Sequence, residues 1–332
     1  MDRQTEITTP GALLNEKGDL ARPGFSRALV QEYRRADVKV SPLRIKEWDY
    51  YLVNNGKFAL ALTVADNGYM GLDSVSLLDL EEGWEITKSP MSFLPLGKKH
   101  LPETSVTGDV HSAARGYGIH FIHEGEKRVL IAYMNKFGES ALSARVELTE
   151  CPEDSLVIAT PFDKPGHFYY NQKIVGFRAS GYVNYNGKTY TFEPSDSFAV
   201  LDWGRGVWTY HNTWYWGSAS GELDGAPFGW NIGYGFGNTS AATENVLFYD
   251  GKIHKLGEVK FEIPMDEDGF EDFMKPWVFT SDDNRFYMNF TPVLDRSAFM
   301  SAGVVLSDQH QVFGHFTGRI TLDDGTVLPL SL

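Results

Sequence analysis

The side chains best suited to chemistry gather between Leu201 and Leu256. This stretch reads LDWGRGVWTYHNTWYWGSASG and continues ELDGAPFGWNIGYGFGNTSAATENVLFYDGKIHKL. Trp203, Trp208, Trp214 and Trp216 crowd into its first part, with Asp202, Arg205, Tyr210, His211 and Asn212 among them. Trp230, Asn231, Glu244 and Asn245 follow. Indole offers wide apolar area plus one donor. A carboxyl set among such rings is desolvated, which raises its pKa and suits it to donate a proton. Indole faces also attract a cation formed by that protonation. Apolar walls with a few placed polar groups are what a ligand site requires.

Each residue has a plainer reading beside the chemical one. Asp202 and Arg205, three apart across a glycine, form either an ion pair bracing a turn or an acid and an anion clamp. Glu244 lies in TENVLF, where alternation puts it on the face of Val246 and puts Asn245 on the other. It is either an inward acid with a raised pKa or an outward residue at a strand end. His211 is a cluster histidine or a proton shuttle. Trp214 and Trp216 share parity, with Asn212 beside them, as in a sugar platform or a channel for a polyene or prenyl chain. The catalytic candidates are therefore Glu244, Asp202 and His211. Arg205, Trp208, Tyr210, Asn212, Trp214, Trp216, Trp230, Asn231 and Asn245 are candidates for ligand contact.

His120 and His123 have opposite parity in a strand, so they do not share a metal, and no metal or cofactor is expected. The run GYGFGN lacks a following helix and lysine and is not a phosphate loop. Absence of a Gly-x-Ser-x-Gly elbow disfavours acyl-enzyme chemistry.

The elements that position these residues read as strands. RIKEWDYYLV and KFALALTVAD are separated by Asn54-Asn55-Gly56, with Phe58, Leu60 and Leu62 on one face. GLDSVSLLDL follows. WEITKSPMSFLPLGKKHLPE, broken by prolines, reads as an edge or loop. GYGIHFIHE, RVLIAYMNK and LSARVELTE are clearer, and Asn186-Gly187 is the strongest hairpin signal. Asp250-Gly251 and Asp324-Gly325 mark further turns. Ser26 is placed to cap a short helix through RALVQEYRR. The whole is expected to be all-β: two successive antiparallel lipocalin-like barrels or sandwiches. Residues 1–36 read as an extension, 37–193 as the first barrel and 194–332 as the second, carrying the tryptophan-rich site.

A net charge of −14 argues against nucleic-acid and anionic-membrane surfaces. The single cysteine, Cys151, allows no internal disulfide and suits a reducing compartment. No apolar run is long enough for a leader or a membrane span, so a soluble cytoplasmic protein is expected. A small molecule is the expected partner, and the sequence fixes no oligomeric state.

GALLNEKGDLARPGFSR, RIKEWDYYLV, the DWGRGVWTYHNTWYWGSASG block, WNIGYGFGNTSAATENVLFYDGKIHKL and VFGHFTGRITLDDG resemble domain-of-unknown-function family 2804. The resemblance runs from about Gly11 to Thr326. That family is similar to tandem lipocalin-like proteins, whose relatives include carotenoid hydratases and tocopherol cyclases. It implies a tandem calycin-like fold and, less directly, hydratase or cyclase activity. It assigns no catalytic residue. Three functions remain open from the sequence. One is a cofactor-independent, acid-catalysed hydratase or cyclase acting on an apolar substrate. Another is a carbohydrate-active enzyme with paired carboxylates. The last is a lipocalin-like binder without catalysis.

Overall fold

A computed structural model of the chain describes residues 4–302 and 305–332. The protein is all-β, with two one-turn 3-10 segments at Arg35–Asp37 and Pro42–Arg44. Its first unit is a 14-stranded sheet. Across this sheet run Trp84–Lys88, Met70–Asp79, Phe58–Asp66, Lys46–Asn54, Phe198–Val207 and Phe168–Tyr185, then the meander from Ser140–Thr149 back to Val110–Ala114. The sheet curls on itself. Asp73, on a strand near one edge, accepts bonds from Lys99 Nζ (2.7 Å), Ser112 Oγ (2.9 Å) and Tyr117 Oη (2.9 Å), which tie it to the other edge.

The second unit packs a four-stranded sheet, Tyr215–Leu223 to Lys252–Lys255, against a five-stranded one, Val259–Glu262 to Val327–Ser331. In the five-stranded sheet, Phe286–Ala302 and Val305–Thr321 form one long hairpin, bulged between Pro292 and Leu294.

Two-residue turns set the register. Asn186-Gly187, Asp224-Gly225 and Asp250-Gly251 all take positive φ at both positions, the left-handed pair that suits a tight hairpin. The last two strands are joined by the longer connection 322–326, in which only Gly325 takes positive φ. The helix expected after Ser26 does not form. Ser26 ends a short strand, Gly24–Ser26, paired with Ala159 to Val157, and Gln31–Glu32 pairs with Gly11–Ala12. RALVQEYRR has no continuous apolar stripe, so burying Phe25 and Tyr33 separately outweighs helix formation. Nor does the change of sheet fall at the expected 193/194 division. Phe198–Val207 is hydrogen-bonded on both sides within the first sheet, and the second unit's first strand starts at Tyr215.

The central strands Phe58–Asp66 and Phe198–Val207 are buried on both faces, whereas those of the meander, such as Ser140–Thr149, alternate buried with exposed residues. On Phe58–Asp66, Leu60, Leu62 and Val64 enter the core inside the sheet. Ala59 and Ala61, on the other face, join a second core with Leu52, Tyr169, Val175 and Val200. Val246, Phe248 and Ile253 of the second unit complete that core, so the outer face of these central strands is the inter-unit interface. The second unit has its own interior, which holds Trp230.

Trp230 is fully buried, with ring centroids 5.4 Å from Phe286 and 5.0 Å from Phe316. Trp230→Ala is expected to lower unfolding free energy by ~3–5 kcal/mol, the usual loss for a buried large aromatic, measured by urea denaturation. A change below about 1 kcal/mol would show that this core does not hold the unit together.

Candidate functional site

Alternation on three adjacent strands builds one wall. On Phe198–Val207, Trp203, Arg205 and Val207 point into the first core, while Asp202, Gly204 and Gly206 face outward. Cross-strand pairing then makes rows on the outer face. Lys173, Asp202 and Tyr50 stand side by side; so do Asn171, Gly204 and Trp48; so do Tyr169, Gly206 and Lys46. The glycines make room for the rings. A Cβ at Gly204 would lie 2.1 Å from Trp48 Cζ2, so only glycine lets that indole lie across the strand. Trp48 stacks on Tyr169 at 5.9 Å, and Trp208 meets Trp48 edge-on at 5.4 Å.

Asp202 is the polar centre of this wall. Its Oδ2 lies 2.7 Å from Lys173 Nζ. Its Oδ1 accepts from Asn171 Nδ2 (2.6 Å) and Trp48 Nε1 (3.3 Å). Asn171 is fully buried, its Nδ2 also donates to Trp203 O, and among the described residues its Oδ1 has no partner.

The four-stranded sheet supplies the facing wall. Trp216 pairs across the strands with Gly233, and its ring lies 4.8 Å from Lys173 Nζ. Trp216 Nε1 donates to Asn231 Oδ1 (2.7 Å). Asn231 Nδ2 in turn donates to the backbone oxygen of Glu244 (2.9 Å) and to its Oε2 (3.3 Å). Glu244 is buried just before the strand Val246–Tyr249, within reach of the Lys173 and Asp202 charges of the first unit. Space for its carboxyl depends on Gly233, where a Cβ would fall 2.6 Å from Oε1.

Burial pushes the Glu244 pKa up, and the Asp202 charge adds to the rise. Lys173, Lys255 and the Asn231 hydrogen bond oppose it. The Tyr169 hydroxyl is pushed well up, first by burial and then by Asp202 and Glu244, so both acids act on it. Lys255, cross-strand from Val246, is drawn down to about 7 by burial, against the pull of Glu244 and Glu258.

Among the proposed site residues, Asp202, Trp208, Trp216, Asn231 and Glu244 meet at this interface. Trp214 joins at the margin: half its surface is exposed, and it packs at 5.8 Å on Phe236. Trp230 points the other way, into the interior of the second unit, because neighbours on a strand face opposite sides. Arg205 does not pair with Asp202. The two sit on opposite faces of one continuous strand rather than across a turn. Inside the first core Arg205 binds Asp49 at 3.0 Å and the carbonyls of Trp48 and Pro102. Tyr210 and His211 are exposed on the 208–214 connection, with Arg44 over the Tyr210 ring at 3.8 Å. Asn212 is taken up by Thr209, and Asn245 by the backbone of Gly233 and Gly257. A surface hollow of about 460 Å³ along Tyr182, Asn184 and Thr189 is lined by none of these residues.

The model of the family described as Domain of unknown function (DUF2804) matches residues 4–331. The chain belongs to that family. A crystal structure from Nitrosomonas europaea, named provisionally as AttH, superposes on 90% of this DUF2804 chain and 95% of its own, at 12% identity and a TM-score of 0.53. That likeness is one of fold. CghA crystallised with Sch210972 (12% identity, 96% of each chain, TM-score 0.49) and kievitone hydratase from Nectria haematococca (10%, 86% of each, 0.49) are more distant. No curated protein matches the sequence. Among the described residues of the DUF2804 protein, no helix is long and apolar enough to cross a membrane, and no three His, Cys, Asp or Glu are grouped to hold a metal.

Several residues of this DUF2804 site escaped the sequence reading: Trp48, Tyr169, Asn171, Lys173, Phe236 and Lys255. Phe236 sits between glycines of positive φ, Gly235 and Gly237, and its ring meets those of Tyr169 (4.9 Å) and Trp208 (5.3 Å). One available signal was NQKIVGF, where Asn171 and Lys173 share parity with Val175 in an otherwise apolar strand.

Lys173→Met strips Asp202 of its cation inside a buried interface and is expected to cost ~3–5 kcal/mol of stability. The double variant Lys173→Met, Asp202→Asn removes both charges and is expected to recover most of that loss in urea unfolding. Equal destabilisation by the single and double variants would show that the pair is not coupled.

Proposed function

We propose that this protein is a cofactor-independent acid catalyst, adding water to, or closing a ring on, an apolar alkene-bearing substrate. The observation that carries the reading is the contrast between two carboxyls in one aromatic cluster. Asp202 is paired with Lys173 and accepts hydrogen bonds from Asn171 and Trp48. Glu244, with only an amide for a close partner, keeps its proton to higher pH than an ordinary glutamate. Pairs of carboxyls set apart by environment divide acid and base roles between them.

The reaction follows from that division. The alkene π pair takes the Glu244 proton, leaving a carbocation and a Glu244 carboxylate. The faces of Trp216, Trp48 and Trp208 lower the energy of the cation. Water adds to the cation and gives its proton to Asp202; in a cyclase, an internal π bond or hydroxyl adds instead. The partnerless Asn171 Oδ1 is an acceptor for the water or for a substrate hydroxyl. A soluble setting with a small-molecule partner accords with this reading.

A library of terpenoid, polyene and aryl-alkene compounds, incubated in ¹⁸O-labelled water and followed by mass spectrometry, tests it. Hydration gives a labelled alcohol, and ring closure gives a product of unchanged mass. Glu244→Gln is expected to slow turnover by ~10²–10⁴-fold while tryptophan fluorescence still reports binding. Full turnover by the Glu244→Gln, Asp202→Asn double variant would refute the proposal. Binding with no turnover in wild type would leave a lipocalin-like binder as the correct description.

A further inference from the structure

The interface holds one more reactive group that the acid-catalysed reaction leaves idle. Lys255 lies on Lys252–Lys255 with Ile253, on the face turned towards the first unit. Its Nζ donates to Thr243 O at 2.5 Å and lies 5.1 Å from the centre of the Phe25 ring. Lys173 has a carboxylate at 2.7 Å, whereas among the described residues Lys255 has none within ion-pair distance. Glu244 is the first charged group acting on it, and the neighbouring Thr243 carries the accepting carbonyl. The corner is held from outside by the N-terminal segment. Gln4 accepts from Thr243 N (2.9 Å) and donates to Leu256 O (2.7 Å), and Thr5 N donates to Ala241 O (2.8 Å).

An ammonium with a ring on one side, a single carbonyl for a partner and, among the described residues, no carboxylate at ion-pair distance is poorly solvated. The free amine is favoured there, and a free amine is a nucleophile. We propose that Lys255 forms a protonated imine with an aldehyde or ketone carbonyl of the substrate, with Glu244 supplying the proton. This rests on the reading of the inter-unit cluster as a substrate site. The amine nitrogen adds to the carbonyl carbon, and the C–O π pair moves to oxygen. The oxygen takes the Glu244 proton, then one from nitrogen, and leaves as water as the C=N bond forms. Amine, carbonyl and the Glu244 proton thus give protonated imine, water and the Glu244 carboxylate. An alkene conjugated to that imine is electrophilic and takes up water without being protonated by Glu244, a second route that is open to α,β-unsaturated aldehydes and ketones. Water adding to the imine carbon, with the same steps run in reverse, restores the amine and the carbonyl and returns the proton to Glu244.

Burial draws the Lys255 ammonium down to about 7, so at neutral pH a large fraction is free amine. Lys46, drawn down to about 8 beside the Tyr69 and Trp208 rings, is the natural internal comparison. The full chain is treated with propanal and cyanoborohydride at pH 6 to 9, and modified lysines are located by peptide mapping. Lys255 is expected to label at least ~10-fold faster than the exposed Lys260 at pH 7, with a rate that levels off above pH 7 to 8. Glu244→Gln is expected to slow the labelling of Lys255 and not of Lys260. Lys255→Arg is expected to lose the fast label while keeping the wild-type circular dichroism spectrum. Lys255→Gln gives a second, uncharged variant should the arginine disturb the interface. Labelling of Lys255 no faster than Lys260, or a fast label that moves to Lys46, overturns the inference. Such a result leaves the alkene-protonation reading standing, since turnover by the Glu244 and Asp202 variants decides that separately.

Discussion

A charge placed on the wrong side of a barrel wall organises this molecule. Lys173 and Asp202 face outward from the first sheet, where a lone barrel would offer them to water. The second unit covers that face, so the pair is buried and each charge depends on the other. Desolvating two charges costs several kcal/mol per ion, which only close geometry and further hydrogen bonds offset. Asn171 and Trp48 provide those bonds, and Trp216 lies over the ammonium. The geometry of the interface is therefore dictated by what the pair requires, and Glu244 is carried to it on the facing sheet.

The two carboxyls come from unlike settings for a structural reason. Asp202 sits mid-strand, with cross-strand neighbours fixed by the ladder, so its partners are held by backbone pairing. Glu244 sits just before the strand Val246–Tyr249, on irregular backbone that Thr243, Gln4 and Asn245 pin in place. A residue outside the ladder can enter a space that regular pairing would fill, and Gly233 keeps that space open. The result is one ion-paired anion and one desolvated acid on opposing walls.

The fold was largely legible because its signals are local. Period-two alternation located the strands, and Asn186-Gly187 and Asp250-Gly251 adopt the left-handed turn they announce. Alternation does not reach Glu244, which lies just before the strand that begins at Val246. It would have placed Asp202 outward and Arg205 inward, had Gly204 been read as a strand glycine relieved by Trp48 instead of a turn. The same rule separates Trp230 from Asn231. What could not be read was pairing across the chain. Lys173 meets Asp202 and Trp48 meets Gly204 only because the strand Phe198–Val207 returns between two earlier ones. Gln4 reaches Thr243 over 239 positions, a contact no local pattern foretells.

The central claim is that Glu244 is held as an acid by the interface. Carbon-13 NMR of the side-chain carboxyls, titrated from pH 3 to 9 and assigned with Glu244→Gln, tests it most directly. The Glu244 resonance is expected to titrate above those of the exposed glutamates, and to stay above them in Lys173→Met, Asp202→Asn, because burial is the main cause and the lysine that opposes it acts more strongly than the aspartate that adds to it. A Glu244 carboxyl that titrates together with the exposed glutamates in the wild-type protein would contradict the account.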